Sequence, residues 1–181
     1  HISFYLRCVW ARIESHRSKN KVKRVLKPQV TSNIPNVENF LRHCQRQQYK
    51  AKGNVMNQGE AGDKLYLILE GSVSVMVEDV SEPGHMLVVS YLNPGDFVGE
   101  MGLFEDDVSS RSAMVVAKTE CEVAEISYDK FHQISAHYPD VLYAIARQLG
   151  KRLRQTTRKL TDLAFVDVSG RIAHTLIDLC L

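Results

Sequence analysis

From Leu65 onward the spacing of the apolar residues changes once, and that change limits what the chain can fold into. From Leu65 to Tyr128 short apolar runs are punctuated by glycine and proline. LYLILEGSVSVMVED (65–79) begins as a continuous apolar run. From Ser72 it alternates, with Val73, Val75 and Val77 to one side and Ser72, Ser74 and Met76 to the other. HMLVVSYL (85–92) is a second such run, and NPGD (93–96) is a turn in which Pro94 presets φ and Gly95 takes the positive φ of a type II turn. SAMVVAK and CEVAEISY continue the pattern, while the stretch between them and that turn, from 95 onward, is not read as strand. Short strands at near-regular spacing predict a small antiparallel barrel or roll. Ahead of them, NVENFLRHC places apolar residues at 37, 40, 41 and 44, the spacing of a short amphipathic helix.

Beyond Pro139 the period becomes helical. Pro139 suits a first helical position and Asp140 the first turn. Leu142, Ala146, Leu149, Leu153, Thr156, Leu160 and Leu163 then recur in a four-three alternation, with basic residues outside it. Such a narrow seam is buried most simply against a copy of itself in a parallel dimer; packing on its own roll is the other way to cover it. Gly150 lies off the seam and weakens the helix. In FVDVSGRIAHTLIDLCL, Ser169 can cap a further helix carrying Ile172, Leu176 and Leu179 on one face. A start at His1 and a stop inside that apolar pattern read as a piece of a longer chain.

Composition narrows the function. With 181 residues and 44% hydrophobic content, the chain can bury one core plus a short appended element. No run approaches the roughly 18 apolar residues of a membrane span. The net charge of +2 is uneven: residues 1–27 hold eight Lys/Arg against one Glu, or +7, which leaves −5 for the rest. A general basic nucleic-acid surface is therefore not indicated on the body, and the run RSKNKVKR (17–24) reads as a solvated tail or as translated sequence upstream of the true start, with a nucleic-acid arm as a lesser reading. Cys8, Cys44, Cys121 and Cys180 show no metal spacing, which fits a reducing compartment, with Cys44 and Cys121 as small buried hydrophobes.

The chemistry concentrates in GDFVGEMGLFEDDVSSRSAMV (95–115). Gly99, Glu100 and Gly102 can open a short helix whose free amides attract an anion. Arg111 adds a fixed cationic fork suited to phosphate, and Ser112 a hydroxyl and an amide. Glu100 would repel a bare phosphate, so it suits another part of the ligand, such as a sugar hydroxyl. A phosphate joined to a sugar, small enough for the inside of a roll, points to a nucleotide. The competing reading is that Glu100 and Arg111 form an ion pair that braces a loop.

DKLYLILEGSVSV, VVSYLNPGDFVGEMGLFE, RSAMVVAKTECEVAEISYDKF and LAFVDVSGRIAHTL together resemble the cyclic-AMP receptor protein (catabolite activator protein) family of bacterial transcription regulators, over about Asn36 to Leu181. The resemblance implies an α+β, mainly β fold: an antiparallel β-roll of the cyclic-nucleotide-binding type, a long dimerising helix and the start of a C-terminal helix-turn-helix domain. The corresponding segments are a basic extension at 1–27, the roll at 28–136, the helix at 137–165, and the hinge and first DNA-domain helix at 166–181. By the same resemblance the ligand is cyclic AMP. Gly99 and Glu100 match the phosphate-cassette residues, with Glu100 on the ribose 2′-hydroxyl, and Arg111 and Ser112 match the pair on the cyclic phosphate. Thr156 and Thr157 fall at the adenine-contacting pair, one reaching across from the other subunit, while Ser90 and Leu92 match pocket-lining positions. A homodimer, DNA and RNA polymerase are the implied partners, in the cytoplasm and without membrane or catalysis.

Two departures stand out. The loop before Arg111 is one residue longer than the enteric pattern. Gln45 and Gln47 replace histidines of the family's polymerase-contacting surface, although Glu125 and Lys130 remain. The recognition helix is absent, so sequence-specific DNA binding is not expected of these residues alone. A relative sensing cyclic di-GMP is the main rival. A cupin-type metalloenzyme is disfavoured because His43, His85, His132 and His137 show no paired spacing, and a haem or iron–sulfur sensor because the N-terminal cysteine cluster is missing.

Overall fold

A computed structural model describes residues 34–79, 81–82, 84–105 and 110–165. The basic N-terminal segment and the stretch from 166 to 181, with its hinge and Ser169-capped helix, lie outside the described residues. The described residues fall into two units, one within Val30–Lys151 and one that holds the end of the last helix from Arg152.

The first unit opens with helix α1 (Val37–Leu41), which buries Val37 and Phe40 as its spacing predicts. Eight strands follow: β1 (Gln45–Tyr49), β2 (Asn54–Met56), β3 (Lys64–Glu70), β4 (Val73–Glu78), β5 (Met86–Leu92), β6 (Phe97–Val98), β7 (Met114–Ala117) and β8 (Cys121–Ser127). They form two antiparallel four-stranded sheets, ordered β1-β8-β3-β6 and β2-β7-β4-β5. Helix α2 (Tyr128–Ser135) grows directly from β8, its N-cap Ser127 accepting from the Lys130 amide, and helix α3 covers Pro139–Phe165.

The apolar run at 65–79 proves to be two strands in different sheets, broken at Gly71-Ser72. β3 is continuous in apolar character because it is covered on both faces. Leu65, Leu67 and Leu69 join the helices in one core, where Phe40, Phe131 and Ile145 are almost fully buried; Tyr66 and Ile68 point into the other, inside the roll, with Val73, Val115 and Val123. The NPGD turn forms as expected, with Gly95 at φ 93° and the Asp96 amide donating to Asn93 O at 3.0 Å.

Three elements differ from the sequence reading. β1, QRQQY, is polar and almost wholly exposed, which suits an edge strand and hides it from hydrophobic patterning. Phe97–Val98, in the stretch not read as strand, pairs with Leu67 and Tyr66. α2 is a helix within the 28–136 segment for which the sequence reading set no helical spacing.

Helix α3 buries Val141, Ala144 and Ile145, which lie off the leucine seam, in the helix-side core of the first unit. Leu149 of the seam packs partly on that core, while Leu153, Leu160 and Leu163, in the second unit, are 69%, 61% and 65% exposed.

Candidate functional site

The glycine-rich stretch begins at β6, a two-residue strand that needs outside support. Gln148 of α3 supplies it. Its side-chain amide donates to Phe97 O at 2.7 Å and accepts from the Phe97 amide at 2.8 Å, completing the pattern a neighbouring strand would provide. Gly99 follows at φ 78°, a left-handed conformation open to glycine without strain. A Cβ there would stand 2.7 Å from Lys64 O and 2.8 Å from Arg111 Nη1. Glu100, 3% exposed, then starts a 3-10 turn over Met101–Phe104, where the Leu103 amide donates to Glu100 O at 3.2 Å. The short helix expected after Gly99 is this single turn, and buried Leu103 anchors it.

Arg111 arrives from the opposite side. Its amide donates to Glu60 O and its carbonyl accepts from the Gly59 amide, both at 2.8 Å, beside an Ala61–Ser110 bridge. The side chain turns inward and is 9% exposed. Nη1 donates to Gly99 O at 3.2 Å and to Tyr128 Oη at 2.7 Å, and Nη2 donates to Lys64 O at 2.7 Å. The guanidinium carbon lies 6.0 Å from the centre of the Tyr66 ring and 5.7 Å from that of Tyr128, within cation–π range. These bonds use three of the five N–H groups of the fork. Two carbonyls and a phenol hold Arg111 in place.

Tyr128 Oη also donates to Gly99 O. Burial pushes the phenol upward, against the lowering effect of Arg111, so it stays protonated and able to donate. Lys64, whose carbonyl receives Arg111, pairs its ammonium with Glu125 at 2.9 Å; that hydrogen bond holds its own titration above the ordinary lysine value.

Gly99, Glu100 and Arg111 are thus gathered at one place, and Ser112 stands beside them, exposed, with Oγ 3.5 Å from Met101 Sδ. Leu92 is buried inside the roll and Ser90, on the same face of β5, is half-buried. Thr156 and Thr157 lie on α3 within the second unit, where Thr157 Oγ1 donates to Leu153 O at 2.9 Å. Gln45 pairs in register with Glu125, which is buried, and Lys130 Nζ donates to His43 O at 2.7 Å. Tyr128, Lys64 and Gln148 were missed in the sequence: two act through a phenol and a backbone carbonyl, and no local spacing links position 148 to position 97.

Among the described residues no three His, Cys, Asp or Glu side chains gather to hold a metal, and no helix is long and apolar enough to cross a membrane.

Residues 46–138 match the model of the cyclic nucleotide-binding domain. The chain is 47% identical over 152 residues to the cAMP-activated global transcriptional regulator Vfr of Pseudomonas aeruginosa, covering 83% of this chain and 70% of that one. It is 49% identical over 153 residues to the cAMP-activated global transcriptional regulator CRP of Salmonella typhimurium, covering 84% and 70%. The chain belongs to the cyclic-AMP receptor protein family of bacterial transcription regulators. Solved structures of the family agree on the fold. The c-di-GMP responsive global regulator CLP of Xanthomonas campestris has a TM-score of 0.71 at 42% identity, over 79% of this chain and 70% of that chain. The Catabolite Activator Protein of Thermus thermophilus reaches 0.62 at 28% identity, over 78% and 62%. The family's relatives named here are regulators of transcription, not enzymes.

Proposed function

We propose that this chain is the cyclic-AMP-sensing region of a bacterial transcription regulator, which couples nucleotide occupancy to DNA binding and transcription control. The observation that carries this is Arg111: a guanidinium buried inside the roll beside Gly99-Glu100, whose bonds among the described residues use three of its five N–H groups. A buried cation of this kind suits a single compact anion. In this reading Arg111 and Ser112 hold the cyclic phosphate, Glu100 accepts from the ribose 2′-hydroxyl, Gly99 lets the backbone approach, and Ser90 and Leu92 line the pocket. The protein is a sensor without catalysis and works in the cytoplasm, where its DNA and RNA polymerase partners are. Residues 28–136 are assigned to the sensor, 137–165 to the dimerisation helix, 166–181 to the hinge and start of the DNA-binding domain, and 1–27 to a basic extension.

Adenine selection is assigned to Thr156 and Thr157. The Thr157 hydroxyl spends its proton on Leu153 O, so its oxygen offers lone pairs. Lone pairs suit the amino group of adenine and repel the carbonyl that guanine presents at the same place. Titration calorimetry with cyclic AMP, cyclic GMP and cyclic di-GMP tests the whole reading. The unaltered chain is expected to prefer cyclic AMP, and Thr156→Ala with Thr157→Ala to narrow the cyclic AMP to cyclic GMP ratio roughly tenfold. An unchanged ratio moves base recognition elsewhere; preference for cyclic di-GMP, the ligand named for the Xanthomonas campestris regulator, replaces the ligand assignment.

The exposed seam supports a homodimer through α3. Each buried leucine contributes about 1.5–3 kcal/mol, and three stand uncovered on one stripe. Leu153→Glu with Leu160→Glu is expected to convert a dimer into a monomer in sedimentation equilibrium. A dimer that survives both changes has its interface elsewhere.

A further inference from the structure

Tyr128 bonds to both halves of the cassette at once. Its hydroxyl oxygen accepts from Arg111 Nη1 at 2.7 Å, its proton goes to Gly99 O, and its ring faces the guanidinium with 5.7 Å between the Arg111 carbon and the ring centre. Tyr128 is itself well fixed. It is the first residue of α2, its amide donates to Asp63 O at 2.7 Å, and its ring packs partly against the helix-side core. Lys64, the neighbour of that Asp63, is the residue whose carbonyl receives Nη2, and it pairs in register with Ser127. One strand–helix junction therefore supplies, directly or through its register partner, two of the three acceptors of the fork.

We propose that Tyr128 is the positioning residue of Arg111, setting the place of the guanidinium before a nucleotide arrives and making no contact with the phosphate itself. The inference rests on the reading of Arg111 as the phosphate partner. The chemistry of the phenol fixes the division of labour. A phosphate oxygen only accepts, and the single proton of Tyr128 is already given to Gly99 O. Tyr128 can therefore act on the phosphate only by holding the residue that binds it. An arginine side chain has many rotamers; one tethered beforehand at three acceptors loses less freedom on binding.

The test is a double-mutant cycle read by calorimetry with cyclic AMP. Tyr128→Phe keeps the ring and removes the hydroxyl, and it is expected to weaken binding about tenfold when Arg111 is present. In the Arg111→Lys background, where no fork remains to be aligned, the same change is expected to alter affinity less than twofold. Equal losses in both backgrounds mean that Tyr128 serves the fold and not Arg111, and overturn the inference. So does an unchanged affinity in Tyr128→Phe alone. Failure of the unaltered chain to bind cyclic AMP overturns the underlying reading of the site, and the inference with it. A second measurement needs no substitution at Tyr128: arginine side-chain NMR of the nucleotide-free chain. Separate, slowly exchanging Nη resonances for Arg111 are expected from a tethered guanidinium, and a single averaged resonance would show that it is not held.

Discussion

Arg111→Leu is expected to weaken cyclic AMP binding by roughly 2–5 kcal/mol, about 30-fold to several-thousand-fold. Leucine fills part of the same volume but leaves a buried phosphate with no counter-charge. The magnitude follows from the site's dryness. Arg111 is 9% exposed, so its charge is poorly screened by water. The fold should tolerate the change better than the ligand does. Gly99 O keeps the Tyr128 hydroxyl as a donor, so Lys64 O is the carbonyl left without its bond. Calorimetry alongside a melting curve separates the two effects. Equal affinity in the two proteins would remove Arg111 from the site.

Gly99→Ala is expected to strike both stability and binding. At φ 78° an alanine pays about 1–2 kcal/mol for the left-handed backbone. Its Cβ would also stand 2.7 Å from Lys64 O, a backbone atom in a strand paired on both sides, which cannot retreat without disturbing β6 and β8. Overpacking of this kind costs a further 1–3 kcal/mol or so, giving a total of roughly 2–5 kcal/mol in urea unfolding. The same Cβ would lie 2.8 Å from Arg111 Nη1, so any relaxation that spares the strand displaces the guanidinium. A variant with native stability and native affinity would show that neither constraint operates.

The two substitutions probe parts of the site that were unequally legible. Gly99, Glu100 and Arg111 could be singled out beforehand because their residue types are costly in a roll unless something requires them. A glycine weakens a strand, and a carboxylate and a guanidinium resist burial. That Glu100 and Arg111 share a buried place, with Tyr128 and Lys64 bonded to the guanidinium, was not legible, because the sequence shows two opposite charges eleven positions apart and nothing of what stands between them. The seam of α3 shows the same limit. Its period was plain, but the stripe that packs on the first unit, Val141, Ala144 and Ile145, is equally apolar and lies one residue away from it.

By itself the sequence determined the local elements whose cause is local. The turn at Asn93–Asp96 depends on Pro94 and Gly95, α1 on its apolar spacing, and α3 on the long helical period after Pro139. It also determined the family, because whole segments such as DFVGEMGLFE keep their residue types together. Tertiary structure alone decided which sheet each half of the 65–79 run joins, since a strand buried on both faces carries no alternation to mark its neighbours. It alone recruited Gln148 as a substitute strand for Phe97 and Tyr128 as the acceptor for Arg111. Those contacts join residues 51 and 17 positions apart. They are set by how the chain packs, and a hydrogen bond between distant side chains leaves no periodic trace in the sequence that makes it.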